Sequence, residues 1–234
     1  MKCYLINLER RPDRYKNFMQ HAQGLSVTKV VAVDKLDIEK VKDKELLFNV
    51  EKFSTLADYP VSWGEIACTL SHTKVWRLIA EDESLADDEF ALVAEDDLFF
   101  ADNAANLMIG LREYLRKNES KLNLVRLHHL HNPKGVIHEG VETLSLEGPD
   151  TIKPIDNGSS LYFIRKSKAK QLVAWLKTNK PFWLADWFNA FTDASEIRAT
   201  SYNFCHIDGQ FGSDLEAERS MLRGYVGEFC DGQQ

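Results

Sequence analysis

FALVAEDDLFF, Phe90 to Phe100, sets an apolar run directly before three consecutive carboxylates, Glu95, Asp96 and Asp97, and two more aromatics after them. A short apolar run closed by polar residues reads as a strand buried on both faces. In an open α/β sheet ligands sit beyond the carboxyl ends of the strands, which is where the acidic row would fall. Adjacent carboxylates repel, so the row is either a solvated turn that ends the strand or a cluster whose charge a divalent cation offsets. Mg²⁺ and Mn²⁺ are the natural partners of such oxygen donors.

Working outward, similar β-like runs recur: CYLINL (3–8), TKVVAV (28–33), LNLVRL (122–127) and LYFIRK (161–166). Helical patterns separate them. Ser62 and Glu65 form a capping box before a helix whose Ala67, Ser71, Val75, Leu78 and Ile79 share a face. Ser167 is placed to cap another, with Ala169, Leu172, Val173 and Leu176 at i, i+3, i+4, i+7 spacing. Strands alternating with helices give an α/β sandwich around a mostly parallel sheet. Residues 131–157 are weakly periodic and rich in Gly, Pro and charge, which predicts a long excursion of the kind that often serves as a lid.

The 234 residues are 44% hydrophobic and 11% aromatic, enough for a substantial core. A net charge of -7 argues against a nucleic-acid partner, because phosphate backbones are held by clustered cations. The basic stretches Arg112 to Lys121 and Arg165 to Lys170 fall in helical patterns and read as solvated faces. Cys3, Cys68, Cys205 and Cys230 have no CxxC spacing, so neither a zinc knuckle nor a disulfide framework is indicated. With no bilayer-length apolar run and no signal-peptide pattern, the chain reads as soluble and cytoplasmic, with room for a peripheral position on the inner membrane surface.

Four blocks carry a resemblance. The acidic row is similar to the E-D-D form of the DxD motif in glycosyltransferase family 25, which includes bacterial lipooligosaccharide galactosyltransferases and the glycosyltransferase domains of collagen modification. CYLINLERRPDR resembles that family's first strand with N-L-x-x-R-x-x-R, WGEIACTLSHTKVW its G-E-x-x-C-x-x-S-H block, and GSSLYFIRKSKAKQLV its later strand and helix; QFGSDLE, with Gln210, Ser213 and Asp214, fits its ending. The blocks keep the family's order over most of residues 3–216.

The resemblance implies one GT-A-type nucleotide-sugar-binding domain over residues 1–226 with a tail from 227 to 234. It implies UDP-galactose as donor, Mn²⁺ or Mg²⁺ as cofactor, inversion at the anomeric carbon, and a lipooligosaccharide or other glycan acceptor. Asp97 is the first candidate metal ligand, with Glu95 as the second carboxylate and His206 or Asp208 as a C-terminal contact. Glu95 or Asp96 would meet ribose or a bridging water. Asn7, Arg11 and Arg14 follow the first strand, where guanidinium groups and a helix N-terminus suit diphosphate; the plainer readings are an Arg11–Asp13 surface pair and a turn closed by Asn7. Asp34, ending the second strand, is placed to accept from uridine or simply to close a turn.

Ser71 and His72 are successive helix residues about 100° apart, so they do not form a catalytic dyad; His72 would bind donor, orient a carboxylate, or be a satisfied core histidine. Asp186, between Trp183 and Trp187, is the candidate base, since aromatic flanks suit sugar faces and desolvation raises a carboxylate pKa. In LHHLHNP, His129 and His131 share a face on an extended chain, but a polar loop after a strand is the better reading of His128, His129 and His131, and the family offers no matching triplet. Two competing functions remain: a metal-dependent nucleotidyltransferase, for which LERRPDR lacks a Gly-rich phosphate loop, and a non-catalytic carbohydrate-binding protein of the same fold.

Overall fold

A computed structural model describes residues 1–129, 135–137, 146–147, 158–207 and 216–223. The chain begins β1 (Lys2–Asn7), α1 (Pro12–His21), β2 (Ser26–Val31), α2 (Lys35–Ile38), α3 (Val50–Ser54) and α4 (Trp63–Glu81). It continues β3 (Phe90–Glu95), β4 (Leu98–Phe100), α5 (Ala104–Asn118), β5 (Leu124–Arg126), β6 (Leu146–Glu147), β7 (Leu161–Arg165), α6 (Lys166–Leu176), β8 (Ile197–Thr200), β9 (Cys205–Ile207) and α7 (Glu216–Arg223). The central sheet has seven strands in the order β2-β1-β3-β7-β5-β8-β6, and β4 pairs with β9 in a separate ribbon.

β2, β1, β3, β5 and β8 point one way, while β7 and β6 run against them. The mostly parallel α/β sandwich therefore stands, GT-A-like in its layers, but LYFIRK is an antiparallel insertion in its middle. The pleat explains why the inner strands are buried on both faces while β2, at the edge, stays mostly exposed: successive side chains of an inner strand enter opposite covered layers. Cys3, Leu5, Leu92, Ala94, Val125 and Phe163 pack with Phe18 of α1 and Met108 and Leu115 of α5. Tyr4, Ile6, Ala91, Val93, Leu124 and Tyr162 pack on the other side with Val75, Trp76 and Ile79 of α4 and Leu172 of α6. Fully burying a side chain of this kind contributes roughly 1.5–3 kcal/mol, so two layers of them hold the sheet rigid where the site is built.

The start of α4 is capped several times over. Ser62 Oγ accepts from the Glu65 N–H at 3.0 Å and Glu65 Oε2 from the Ser62 N–H at 2.9 Å, the capping box read from sequence. Glu218 of α7 accepts from the N–H groups of Trp63 (2.7 Å) and Gly64 (3.0 Å), and Arg219 Nε donates to Glu65 Oε1 at 3.2 Å. On the expected apolar face Leu78 is instead exposed, because the buried stripe runs through Val75, Trp76 and Ile79.

α6 corrects two expectations. Ser167 lies inside the helix and does not cap it. The first N–H groups are satisfied from the loop before β3: Lys166 N–H donates to Glu89 O and Ser167 N–H to Asp87 O. The basic stretch at this point is also not a solvated face. Arg165, Lys166 and Lys168 are buried; Arg165 donates to the carbonyls of Leu122, Asp88 and Glu119, and Lys166 Nζ to those of Asp82 and Leu85. These cations saturate carbonyls of neighbouring loops, so their place in the chain is structural. Cys3, Cys68 and Cys205 are free thiols. Most of 131–157, the tail 227–234 and residues Asp208, Gln210, Ser213 and Asp214 lie outside the described residues.

Candidate active site

The carboxyl ends of β1, β3 and β5 meet the amino end of β7 along one edge of the sheet. Pleat alternation carries past the last strand residues and sends the acidic row to different layers. Glu95 turns toward α4 and Asp96 toward α1. Ser160 O accepts from the Glu95 N–H at 2.8 Å, which fixes the backbone where the strand ends.

On the α1 side, Asp96 is tied down completely. Its Oδ2 accepts from Asn7 Nδ2 at 2.6 Å and from the Leu8 N–H at 3.3 Å, and Arg14 Nη1 stands 3.3 Å from Oδ1. Asn7 also donates to the Arg11 carbonyl at 3.0 Å, closing the turn into α1. Burial pushes the Asp96 carboxyl above its usual range, against the opposing pull of Asn7 and Arg14. Arg11 pairs with Asp13 at 2.9 Å. Asp34 caps α2 by accepting from the Leu36 N–H at 3.0 Å and holds Arg10 at 2.7 Å; burial works against ionisation there, but those two donors win and its pKa falls.

On the α4 side, a chain of buried hydrogen bonds ends at Glu95. Trp76 Nε1 donates to the Tyr162 hydroxyl (2.9 Å), which lies 2.9 Å from His72 Nδ1, and His72 Nε2 lies 3.2 Å from Glu95 Oε1. With Tyr162 accepting from Trp76, its own hydrogen is free for His72 Nδ1, leaving Nε2–H to donate to the carboxylate. Ser159 adds a hydroxyl donor to Glu95 at 2.9 Å. Burial raises the Glu95 pKa, but the hydrogen bonds from His72 and Ser159 bring it below its ordinary value. His72 is thus a satisfied histidine that orients a carboxylate. Ser71 donates to Ala67 O and accepts from the Val33 N–H, fastening α4 to the end of β2.

Asp97 sits between these layers. Among the described residues its Oδ1, out of solvent, finds no hydrogen-bond partner, and Arg14 Nη1 stands 3.9 Å from Oδ2. Burial, then the charges of Glu95 and Asp96, push its pKa up to about 7. An orphaned carboxylate oxygen beside a second carboxylate is a hard donor set that fits Mn²⁺ or Mg²⁺, and Asp97 and Glu95 would hold the ion. His206 lies on β9 opposite Phe99 and stacks on its ring at 5.4 Å. It is exposed, and Asp97, Glu95 and His206 do not bring three ligand atoms within 4.8 Å of one another. Among the described residues the group that does is Cys68, His72 and Glu95.

Asp186 falls in a turn before a short 3-10 segment. It is half-buried, and burial raises its pKa, with Arg219 and Arg126 opposing and Glu95 reinforcing. The charges of Glu95, Asp186 and Asp97 all act on Cys68 in the same direction, raising the thiol's pKa after burial has done so. His128 and His129 are buried and engaged. Ser160 Oγ lies 2.7 Å from His128 Nδ1, and His129 Nε2 lies 3.0 Å from the Thr200 carbonyl. Burial and the neighbouring His129 hold His128 neutral, with a pKa near 4; neither is a solvated loop residue, and His131 is outside the described residues. A cavity of about 380 Å³ between the end of α1 and the start of α5 is lined by none of the acidic row.

Sequence reasoning passed over Cys68, Ser159, Tyr162 and Trp76 as site residues. The i, i+4, i+8 spacing of Cys68, His72 and Trp76 on one helix face was the available signal; Ser159 and Arg219 had none, since tertiary packing alone brings them in.

An α/β sandwich that gathers carboxylates at the strand ends beside a helix carrying a G-E-x-x-C-x-x-S-H block is the layout of a sugar-transferring enzyme. The chain belongs to glycosyltransferase family 25: the model described as "Glycosyltransferase family 25 (LPS biosynthesis protein)" matches residues 1–186. A "Glycosyltransferase 25 family member" of Anopheles gambiae is 35% identical over 101 residues, 42% of this chain and 16% of that protein. "Procollagen galactosyltransferase 2" of Mus musculus is 30% identical over 130 residues, 53% and 20% of the two chains, and the Homo sapiens protein of that name is 35% identical over 105 residues, 42% and 16%. The matched region spans about one fifth or less of these animal relatives.

Proposed function

We propose that the chain transfers galactose from UDP-galactose, with inversion, to a hydroxyl of a lipooligosaccharide-type glycan, using Mn²⁺ or Mg²⁺ held by Asp97 and Glu95. The observation that carries this reading is the buried Asp97 oxygen without a hydrogen bond among the described residues, two positions after Glu95 and under the influence of its charge. The ion, when bound, supplies positive charge to the departing diphosphate. The chain's own residues do the rest. Trp76, Tyr162 and His72 hold Glu95 in one orientation; Asn7 and Arg14 hold Asp96 and so fix the turn that presents Asp97. Asp186, its pKa raised by burial, takes the proton of the acceptor hydroxyl as that oxygen attacks the anomeric carbon.

A protein-linked acceptor is the second reading, supported by the procollagen names of the animal relatives. The family description favours a lipopolysaccharide sugar. A site near the cytoplasmic face of a membrane follows from a nucleotide-sugar donor; no helix among the described residues is long and apolar enough to cross a bilayer.

The test is UDP release from UDP-galactose with Mn²⁺, with and without chelator, offering in parallel a lipooligosaccharide-derived oligosaccharide and a hydroxylysine-containing collagen peptide. Chelator-sensitive release stimulated by the oligosaccharide is the expected result, and Asp186→Asn should lower it about 10²–10⁴-fold, the usual contribution of a general base. Stimulation by the peptide alone selects the second acceptor. Absence of release with any nucleotide sugar refutes the transfer reading.

A further inference from the structure

Cys68 and His72 stand one turn apart on α4 and face the same way, and Glu95 reaches them from the end of β3. One ligand atom from each of the three lies within 4.8 Å of the other two. His72 Nε2 and Glu95 Oε1 are 3.2 Å apart. A tetrahedral Zn²⁺ with bonds of about 2.0–2.3 Å spaces its donors roughly 3.3–3.8 Å apart. The pair is therefore already near ligand spacing, and Cys68 need draw in by no more than about 1 Å.

The donor types matter as much as the distances. A thiolate, an imidazole and one carboxylate suit a borderline-soft ion such as Zn²⁺ and are poorly matched to Mn²⁺ or Mg²⁺. The remaining nitrogen of His72 is held by Tyr162, which Trp76 fixes in turn, and a histidine ligand ordinarily has its other nitrogen anchored in this way. Burial, then the charges of Glu95, Asp186 and Asp97, hold the free Cys68 thiol well above its usual range against the pull of Arg219, so it is the charge of the ion itself that makes the thiolate.

We infer that Cys68, His72 and Glu95 form a second cation site, selective for thiophilic divalent ions of the Zn²⁺ class, which shares Glu95 with the hard-ion site at Asp97 so that the two ions exclude each other. On binding, the Cys68 thiol releases its proton to solvent as the sulfur–metal bond forms. The His72 proton moves to Nδ1 and is donated to the Tyr162 oxygen, whose own hydrogen turns away from the ring, and Nε2 turns its lone pair to the ion. Three protein ligands leave one position open for water. Occupancy of the thiolate site does not depend on the galactosyl reading; the mutual exclusion does depend on an ion at Asp97.

Co²⁺ serves as the spectroscopic probe in place of Zn²⁺. Titrating Co²⁺ into the metal-free full chain should give a thiolate-to-metal charge-transfer band saturating at one equivalent, abolished by Zn²⁺ and absent in Cys68→Ser that melts with the parent. In the unmodified chain Zn²⁺ should slow alkylation of Cys68, mapped by mass spectrometry, at least tenfold. Electron paramagnetic resonance of added Mn²⁺ should show bound ion released by one equivalent of Zn²⁺. No Co²⁺ band, a band that survives in Cys68→Ser, or unchanged Cys68 alkylation overturns the site. A Co²⁺ band with no Mn²⁺ binding upholds the thiolate site and overturns the exclusion, setting that failure apart from a failure of the transfer reading.

Discussion

Asp96 and Glu95 are neighbours in the chain and face opposite layers of the molecule. On the α1 side, Asp96 meets an amide, a backbone N–H and a guanidinium, and its charge is spoken for. On the α4 side, the Glu95 carboxylate is met among the described residues by His72 and Ser159. Asp97, between them, keeps one buried oxygen with no donor. The pleat, not the composition of the row, assigns one carboxylate to architecture and leaves two as a negative surplus that a cation can discharge.

The strongest way to break this division is Asp97→Ala. Metal-supported UDP release should fall about 10²–10³-fold, the scale of losing one preorganised charge-stabilising group; an unchanged rate would make the acidic row a plain strand end. Arg14→Leu attacks the architectural side. It strands a buried carboxylate and should cost about 3 kcal/mol, lowering Tm by roughly 6–12 °C for a chain of this size. A thermal melt at neutral pH that moves less than a degree or two would remove the distinction.

Asp97→Asn sharpens the comparison from the other direction, because in metal-free buffer it should stabilise the fold. A carboxyl held at about 7 takes up more protons folded than unfolded between roughly pH 4 and 7, so its ionisation subtracts stability as pH rises through that window. The gain from Asn is absent near pH 4 and reaches about 2 kcal/mol above pH 7, roughly half of the full shift, because the side chain keeps 19% of its surface in solvent. Melts at several pH values with chelator present check both sign and window. Smallest is Tyr162→Phe, which leaves the Trp76 N–H buried and unpaired and His72 unanchored. About 1–2 kcal/mol of stability should be lost, with a few-fold lower rate.

The five strand runs read from the sequence all form strands, because a doubly covered sheet writes itself as short apolar runs. The direction of β7 was not legible: nothing in LYFIRK distinguishes a parallel from an antiparallel partner, and the choice depends on where the chain re-enters the sheet. Nor could β8 and β9 be read, being three or four residues each with mixed polarity. At the site, the capping box and the acidic row stood in the sequence as local patterns. The bond from Ser159 to Glu95 and the clasp of Arg165 on three carbonyls join residues dozens of positions apart, and no local pattern records them.

The reversed course of β7 has an evolutionary consequence. In a parallel strand the connection that follows it borders the ligand edge, so variation in binding must be written after the strand. Because β7 runs backwards, its entrance at Ser159 and Ser160 is what touches Glu95. Substitutions at Ser159 and Ser160 therefore change the surroundings of Glu95 while the strand itself, and the helix that continues from it, keep their register.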